Sequence, residues 1–141
     1  MMNPATSDPG AMQPPPADPP EKPFFSVDLV IFTIREDCLR VLLVRRSEAP
    51  FKGQWALPGG FLEPGRDNSI EGCALRRLVE KTGVEAPYLE QLKTYGSHDR
   101  DPRGWTATTV YFALIASDSV RLRANQETVR WTPVQGDGVG C

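Results

Sequence analysis

The stretch that decides the fold is "WALPGGFLEPGRDNSIEGCALRRLVEKTGV", residues 55–84. It opens on adjacent glycines, which give the backbone the freedom that a tight turn needs. A loop with acidic residues follows, and apolar residues then recur at helical spacing. The pattern predicts one helix over Ser69–Lys81. Its apolar stripe is expected at Ile70, Ala74, Leu75, Leu78 and Val79.

The two ends of this helix carry recognisable signals. Asp67, Asn68 or Ser69 is expected to cap its start, because short polar side chains accept hydrogen bonds from free backbone N–H groups. Gly83 is placed to follow its end.

Strands are predicted on both sides of this stretch, from runs rich in β-branched and aromatic residues. With the single helix they give an α+β pattern of five or six strands in a mixed sheet. One helix covers only one face of a sheet. We therefore expect that the chain is a fragment or lacks its native C-terminal helix, the alternative being that a partner covers the open face. The predicted strands are 26–34, 39–46, 88–96, 105–116 and 127–134.

Composition divides the chain of 141 residues in two. Residues 1–23 hold eight of the 14 prolines and almost no large apolar side chains. Such a segment cannot bury enough surface to offset its ordering entropy, so a disordered Pro-rich tail is predicted there. Residues 24–141 are expected to form one domain.

Charge and cysteine usage narrow the classes of function. The formal net charge is -2 without a basic run, which argues against nucleic-acid binding by this chain. No apolar stretch has the length of a membrane span. Three widely spaced cysteines and one histidine indicate neither a disulfide framework nor a zinc site. A reducing, cytoplasmic location is expected.

The quoted stretch resembles the Nudix box, G-x5-E-x7-R-E-U-x-E-E-x-G-U, in which U is a bulky aliphatic residue. The stretches "VDLVIFTI", "LRVLLVRR", "PFKGQWALPGGF", "EKTGV" and "DRDPRG" resemble one branch of the same superfamily. That branch contains ADP-ribose pyrophosphatase-like proteins and Nudix-related transcriptional regulators of NAD metabolism. The resemblance implies an α/β/α sandwich around a mixed sheet. The residues that match the box are Gly60, Arg76, Leu78, Glu80, Gly83 and Val84.

The box departs from its pattern at the acids. Arg77 and Lys81 stand where two of the three helix glutamates belong, and Glu80 keeps the second. Arg66 occupies the place of the loop glutamate counted from Gly60. Residues 77, 80 and 81 share one helix face, so a metal ion there meets one carboxylate and two cations.

In Nudix enzymes the box carboxylates hold Mg²⁺, which bridges the pyrophosphate and helps to activate water. The resemblance therefore makes Glu80 the expected catalytic residue, with Glu63 and Glu127 as further metal ligands. Asp67 and Glu71 are weaker candidates of the same kind, and each acid could equally be an ordinary surface residue. The expected substrate-binding residues are Arg45, Lys52, Gly59, Gly60, Arg76, Arg77, Lys81 and Arg103.

Three functions stay open at this point. One is Mg²⁺-dependent hydrolysis of the pyrophosphate in a nucleoside diphosphate derivative such as ADP-ribose. Another is a catalytically impaired sensor in which Arg77 and Lys81 attract the diphosphate directly, since arginine suits phosphate oxygens. The third is an interaction domain without a ligand. A homodimer is an open alternative for the assembly, and no DNA binding is expected of this chain itself.

Overall fold

The computed structural model describes residue 10, residues 21–86, 88–116 and 127–136. Most of the predicted Pro-rich tail and the last five residues lie outside these ranges. The predictions of a disordered tail and of an absent C-terminal helix therefore stay predictions.

The long hairpin β1–β2 forms the centre of the sheet. Strand β1 spans Phe24–Arg35 and strand β2 spans Cys38–Arg45. Between them Glu36 and Asp37 both have positive φ, 55° and 56°. Two successive left-handed residues make the turn whose twist matches that of the flanking strands.

Strands β3 (Trp55–Ala56) and β4 (Gly59–Phe61) form a wedge inside this hairpin. Strand β3 pairs with Val44 and Arg45 of β2, and β4 pairs with residues 26–28 of β1. Strand β3 lies along the edge of β2 that faces β1, and β4 lies along the edge of β1 that faces β2. The wedge therefore keeps β1 and β2 apart at the end away from their turn.

Three further strands complete a seven-stranded sheet. Strand β6 (Thr106–Leu114) pairs with β1 in parallel, while β5 (Glu90–Ser97) and β7 (Val129–Pro133) pair antiparallel with β6 and β2. The mixed sheet and the α+β class are confirmed. The order of the main path is β3-β2-β1-β6-β5.

Helix α1 spans Ile70–Thr82. The Ser69 hydroxyl accepts a 2.9 Å hydrogen bond from the Gly72 N–H and caps its start. Gly83 ends it at a φ of 74°, a left-handed conformation that glycine adopts without a steric penalty.

The buried face of α1 differs from the predicted stripe. Cys73, Ala74, Leu78 and Thr82 are buried, whereas Ile70, Leu75 and Val79 lie on the flank with more than a third of their surface exposed. The prediction was wrong at these three positions because the contact surface on the sheet is narrower than the apolar stripe. Small Cys73 and Ala74 allow the helix to approach the strands closely.

The core lies between α1 and one face of the sheet. Val27, Leu29 and Ile31 of β1 alternate onto this face and pack against the helix residues. On the opposite face, Ile34 and Leu114 are 56% and 64% exposed. The described residues contain a single helix, α1. Within them, the helical layer of the expected α/β/α sandwich is therefore seen on one face of the sheet.

Two smaller observations complete the fold. Cys73 is a free, buried thiol. Within the described ranges no helix is long and apolar enough to cross a membrane.

Candidate functional site

The Gly59–Gly60 pair lets two parts of the molecule approach closely. A Cβ atom at Gly59 would overlap the backbone carbonyl of Val27 on β1. A Cβ atom at Gly60 would lie 2.7 Å from Nε of Arg77. The structure places Gly59 and Gly60 in strand β4, and neither has a positive φ, so the tight turn predicted there is not found. The glycines are needed for space instead: the absent side chain at Gly60 leaves room for the Arg77 guanidinium beside the sheet.

Arg77 is anchored by the backbone at the last residue of β4. Its Nε and Nη2 donate to the Phe61 carbonyl at 3.2 Å and 2.6 Å. Its Nη1 lies 3.4 Å from Glu80 Oε2. The side chain is 14% exposed, so its charge sits at a fixed place rather than moving in solvent.

Asp67 is the partner of the box arginine. Arg76 donates to both Asp67 carboxylate oxygens at 2.6 Å, and the Glu63 N–H donates to Oδ2 at 2.8 Å. Only 1% of the Asp67 side chain is exposed. The hydrogen bonds from Arg76, with the smaller contribution of the Glu63 N–H, hold the pKa of Asp67 well below its usual range.

Glu80 is enclosed by guanidinium groups. Arg66 contacts its Oε1 at 3.0 Å and Arg76 contacts both of its oxygens at 3.1 Å, in addition to the contact from Arg77. Partial burial alone would raise its pKa, but hydrogen bonding and charge from Arg76, with Arg66 and Arg77, hold the pKa of Glu80 below its ordinary value. Its carboxylate is therefore ionised, and the surrounding guanidinium groups already balance its negative charge.

Glu63 meets the same three cations. Its oxygens lie 3.1 Å from Arg66, 3.7 Å from Arg76 and 3.5 Å from Arg77. We call this group the arginine–carboxylate cluster, and its charges balance. Its members are Glu63, Arg66, Asp67, Arg76, Arg77 and Glu80.

The cluster does not suit a divalent cation. Mg²⁺ needs carboxylate oxygens that are free to coordinate it, whereas those of Glu63 and Glu80 face three guanidinium groups. Among the residues described, no group of three or more His, Cys, Asp and Glu is placed to hold a metal. Glu127 is exposed ahead of β7 and does not line the cleft described next. The metal-ligand prediction for these acids is untested, and the contacts weigh against it.

A cleft of about 560 Å³ opens beside the cluster, within the size range of small-molecule sites. It lies where β1 and β2 separate, under the 46–51 loop and the 100–103 loop. Three acids, Asp28, Glu48 and Asp101, face six basic side chains, which leaves a formal excess of three positive charges. The basic residues are Arg45, Arg46, Arg77, Lys81, Arg100 and Arg103.

These cations differ in how firmly they are held. Arg103 donates to both Asp101 oxygens, at 2.9 Å and 2.7 Å, and lies 4.5 Å above the Phe61 ring. These hydrogen bonds lower the pKa of Asp101 to about 2. Lys81 is exposed and makes no ion pair with any described residue. It is therefore the cation most available to an incoming anion.

Some of the predicted binding residues line the cleft and others do not. Lys52 and Arg76 do not line the cleft: Lys52 is exposed outside it, and Arg76 belongs to the cluster. Asp28 lines the cleft although the sequence prediction passed over it. A lone acid inside the apolar run of β1 was the available signal. The predicted residues that do line the cleft are Arg45, Gly59, Gly60, Arg77, Lys81 and Arg103.

Comparisons with known proteins bear on the family and the fold of this chain. The family model described as NUDIX domain matches residues 23–136. Among solved structures, the NUDIX domain of Shewanella oneidensis NrtR, crystallised with ADP ribose, has a TM-score of 0.73 and 43% identity over 80% of this chain and 74% of that chain.

Two curated relatives are similar over shorter stretches. The chain is 50% identical over 93 residues, 66% of its length, to the ADPR responsive transcriptional repressor NtrR of Acinetobacter baylyi. It is 42% identical over 72 residues, 51% of its length, to the ADP-ribose pyrophosphatase of Methanocaldococcus jannaschii. The matched stretches span 37% and 41% of those two proteins.

Proposed function

This chain belongs to the Nudix family, and from that premise we propose that it binds the diphosphate of a nucleoside diphosphate derivative such as ADP-ribose through its own cationic side chains. Binding then needs no metal ion, and turnover is slight or absent. The domain then acts as a sensor: it keeps a cleft beside the Nudix box, while Arg77 and Lys81 replace two of the three helix glutamates of the box.

One observation carries this proposal. The retained box acid Glu80 and the nearby candidate ligand Glu63 are neutralised by arginines, while the adjoining cleft keeps an excess of positive charge. A doubly charged diphosphate is attracted to such a cleft, because guanidinium and ammonium groups donate to phosphate oxygens. Arg77 and Lys81 occupy the two positions at which the family pattern has glutamate.

The relatives support the choice of ligand. One is described as an ADPR responsive repressor, and another was crystallised with ADP ribose. Because the match covers 37% of that repressor, we assign no DNA binding to this chain. We propose cytoplasmic residence, a domain over residues 24–141 behind a Pro-rich tail, and a homodimer as the assembly to test.

A second candidate is a Mg²⁺-dependent pyrophosphohydrolase. It is favoured by the retained Glu80 and by the 42% identity to an ADP-ribose pyrophosphatase. For this function the acids would first have to leave their arginine partners. The two candidates make opposite predictions for the same substitutions.

The first test compares two lysines. Lys81→Ala removes a cation that lines the cleft, whereas Lys52→Ala removes an exposed cation outside it. In EDTA-containing buffer, we expect calorimetry to show about tenfold weaker ADP-ribose binding for Lys81→Ala, the size typical of a charged hydrogen bond. We expect Lys52→Ala to stay within about twofold of the unsubstituted chain. Equal losses in both variants would contradict the assignment of the cleft.

The second test uses the retained acid. Glu80→Gln should leave ADP-ribose affinity within about threefold, because Glu80 faces arginines and does not line the cleft. The companion measurement is release of AMP in Mg²⁺. AMP release that is present in the unsubstituted chain and lost in Glu80→Gln would establish the hydrolase instead.

A further inference from the structure

The basic cleft continues into a second cleft of about 450 Å³ on the face of the sheet opposite α1. The two share Asp28, Leu57 and Arg100, so these residues form the junction between them. Apart from Asp28 and Arg100, the second cleft is lined by uncharged residues. They are Tyr95, Gly96, Ser97, Thr108 and Val110, with Leu57.

Asp28 is positioned at this junction by its neighbours. The Thr108 hydroxyl donates to Asp28 Oδ2 at 2.7 Å, and Arg100 Nη2 lies 3.7 Å from the same oxygen. Asp28 and Arg100 are both 31% exposed. Within the described part of the chain, the contacts of Asp28 engage Oδ2, so Oδ1 can still accept hydrogen bonds.

The basic, acidic and apolar parts of the two clefts follow one another in the same order as the groups of a nucleotide. A nucleoside diphosphate runs from diphosphate through ribose to base. The first cleft is basic, the junction carries a carboxylate, and the second cleft offers apolar and aromatic surface. A ribose at the junction presents two vicinal hydroxyl donors to a group that only accepts.

We propose that Asp28 is a specificity-determining residue that accepts hydrogen bonds from the ribose hydroxyls, and that the second cleft takes the base beyond it. This inference rests on the proposed function and adds the nucleoside half of the ligand. Tyr95, which lines the second cleft and is 45% exposed, offers aromatic surface there and has Lys93 Nζ 5.1 Å from its ring centroid. Beyond Asp28 and Arg100 the lining is uncharged, which suits a planar base, whose faces are apolar.

The experiment measures discrimination rather than affinity alone. ADP and 2′,3′-dideoxy-ADP share the diphosphate and the base and differ only in the hydroxyls. We expect calorimetry in EDTA to show at least tenfold tighter binding of ADP to the unsubstituted chain. In Asp28→Asn this ratio should fall below about threefold, because the amide is uncharged and a weaker acceptor. Thr108 can still donate to the amide oxygen, so the local fold is kept.

Asp99→Asn is the matched control. It removes the same charge one residue from Arg100, on an exposed side chain that lines neither cleft. Its ratio between ADP and dideoxy-ADP should equal that of the unsubstituted chain. Equal binding of the two nucleotides by the unsubstituted chain, or a ratio unchanged in Asp28→Asn, would overturn the ribose assignment and leave the diphosphate site standing. Binding of neither nucleotide would overturn the proposed function together with it.

The base assignment has its own variant. Tyr95→Leu keeps an apolar side chain on β5 and removes the aromatic face. We expect ADP binding to weaken by roughly fivefold or more, the scale of base stacking on an aromatic ring, while binding of inorganic pyrophosphate is unchanged. A parallel loss for both ligands, or no loss for ADP, would place the base outside the second cleft.

Discussion

At the scale of one residue, Asp67 shows how a carboxylate of the arginine–carboxylate cluster is held by its arginine partner. Its carboxylate accepts two 2.6 Å hydrogen bonds from Arg76 and one from the Glu63 N–H, with almost no contact with solvent. The Arg76 hydrogen bonds depress its pKa, so the folded state favours the charged form. A depressed carboxylate pKa stabilises the fold above its unfolded-state value, and this contribution is lost as pH falls.

A pH prediction follows for Asp67. The free energy of unfolding should be steady from neutral pH down to the ordinary aspartate value of 3.8 and then decrease toward pH 2. Asp67→Asn should be less stable at pH 7 and show a flatter decrease below pH 4. Urea denaturation at each pH measures both quantities.

The matched control is Asp37→Asn, at an exposed turn residue whose left-handed backbone asparagine also adopts. In this variant the free energy of unfolding should decrease with falling pH as steeply as it does in the unsubstituted chain. If the free energy of unfolding of Asp67→Asn decreased below pH 4 as steeply as that of the unsubstituted chain, the Arg76–Asp67 pair would not link folding to pH.

Sequence reasoning reached some residues of the site and missed others for a physical reason. Arg77 and Lys81 were identified because they stand at glutamate positions of the Nudix box that the sequence resembles, on one helix face. The pairing of Asp67 with Arg76 depends on the path of the loop between β4 and α1, which residue spacing does not describe. Asp28 was missed because its role arises from Arg100 and Thr108, which are more than 70 residues away.

The Gly59–Gly60 pair of strand β4 matters at the scale of elements. Its two glycines face different neighbours: Gly59 faces the backbone of β1, and Gly60 faces the flexible side chain of Arg77. Backbone cannot move aside without breaking the pairing of β4 with β1, whereas a side chain can turn away. The two positions should therefore respond differently to the same added methyl group.

We expect Gly59→Ala to cost more than about 3 kcal/mol of unfolding free energy or to prevent folding. Gly60→Ala should stay folded, displace Arg77 and weaken ADP-ribose binding several-fold. Gly65→Ala, where nothing lies within 4 Å of the added Cβ, should change neither quantity by a measurable amount. Denaturation and calorimetry on the three variants check this, and equal stability of Gly59→Ala and Gly65→Ala would contradict the packing of β4 against β1.

The elements themselves were largely predictable. The β1–β2 hairpin and helix α1 were predicted within a few residues, because long runs with a clear period dominate local conformation. The division of "WALPGGFL" into β3 and β4 was not, since it depends on the separation of β1 from β2. The exposure of Ile70, Leu75 and Val79 likewise depends on how much of the helix the sheet can reach.

At the scale of the whole molecule, charge is distributed unevenly. The chain has a formal net charge of -2, yet the cleft has an excess of three positive charges. Locally focused potential of this kind attracts an anion even to an acidic protein. The cleft lies beside the arginine–carboxylate cluster, in which Glu63 and Glu80 face guanidinium groups.

The central claim is that the diphosphate is held by the protein's own cations. Titration of ADP-ribose by calorimetry, once with Mg²⁺ and once with EDTA, tests it most directly when the same samples are assayed for AMP. The account predicts saturable binding with the same affinity in both buffers, within about twofold, and no AMP. Binding that disappears in EDTA, or AMP that accumulates only with Mg²⁺, would contradict it and establish a metal-dependent hydrolase.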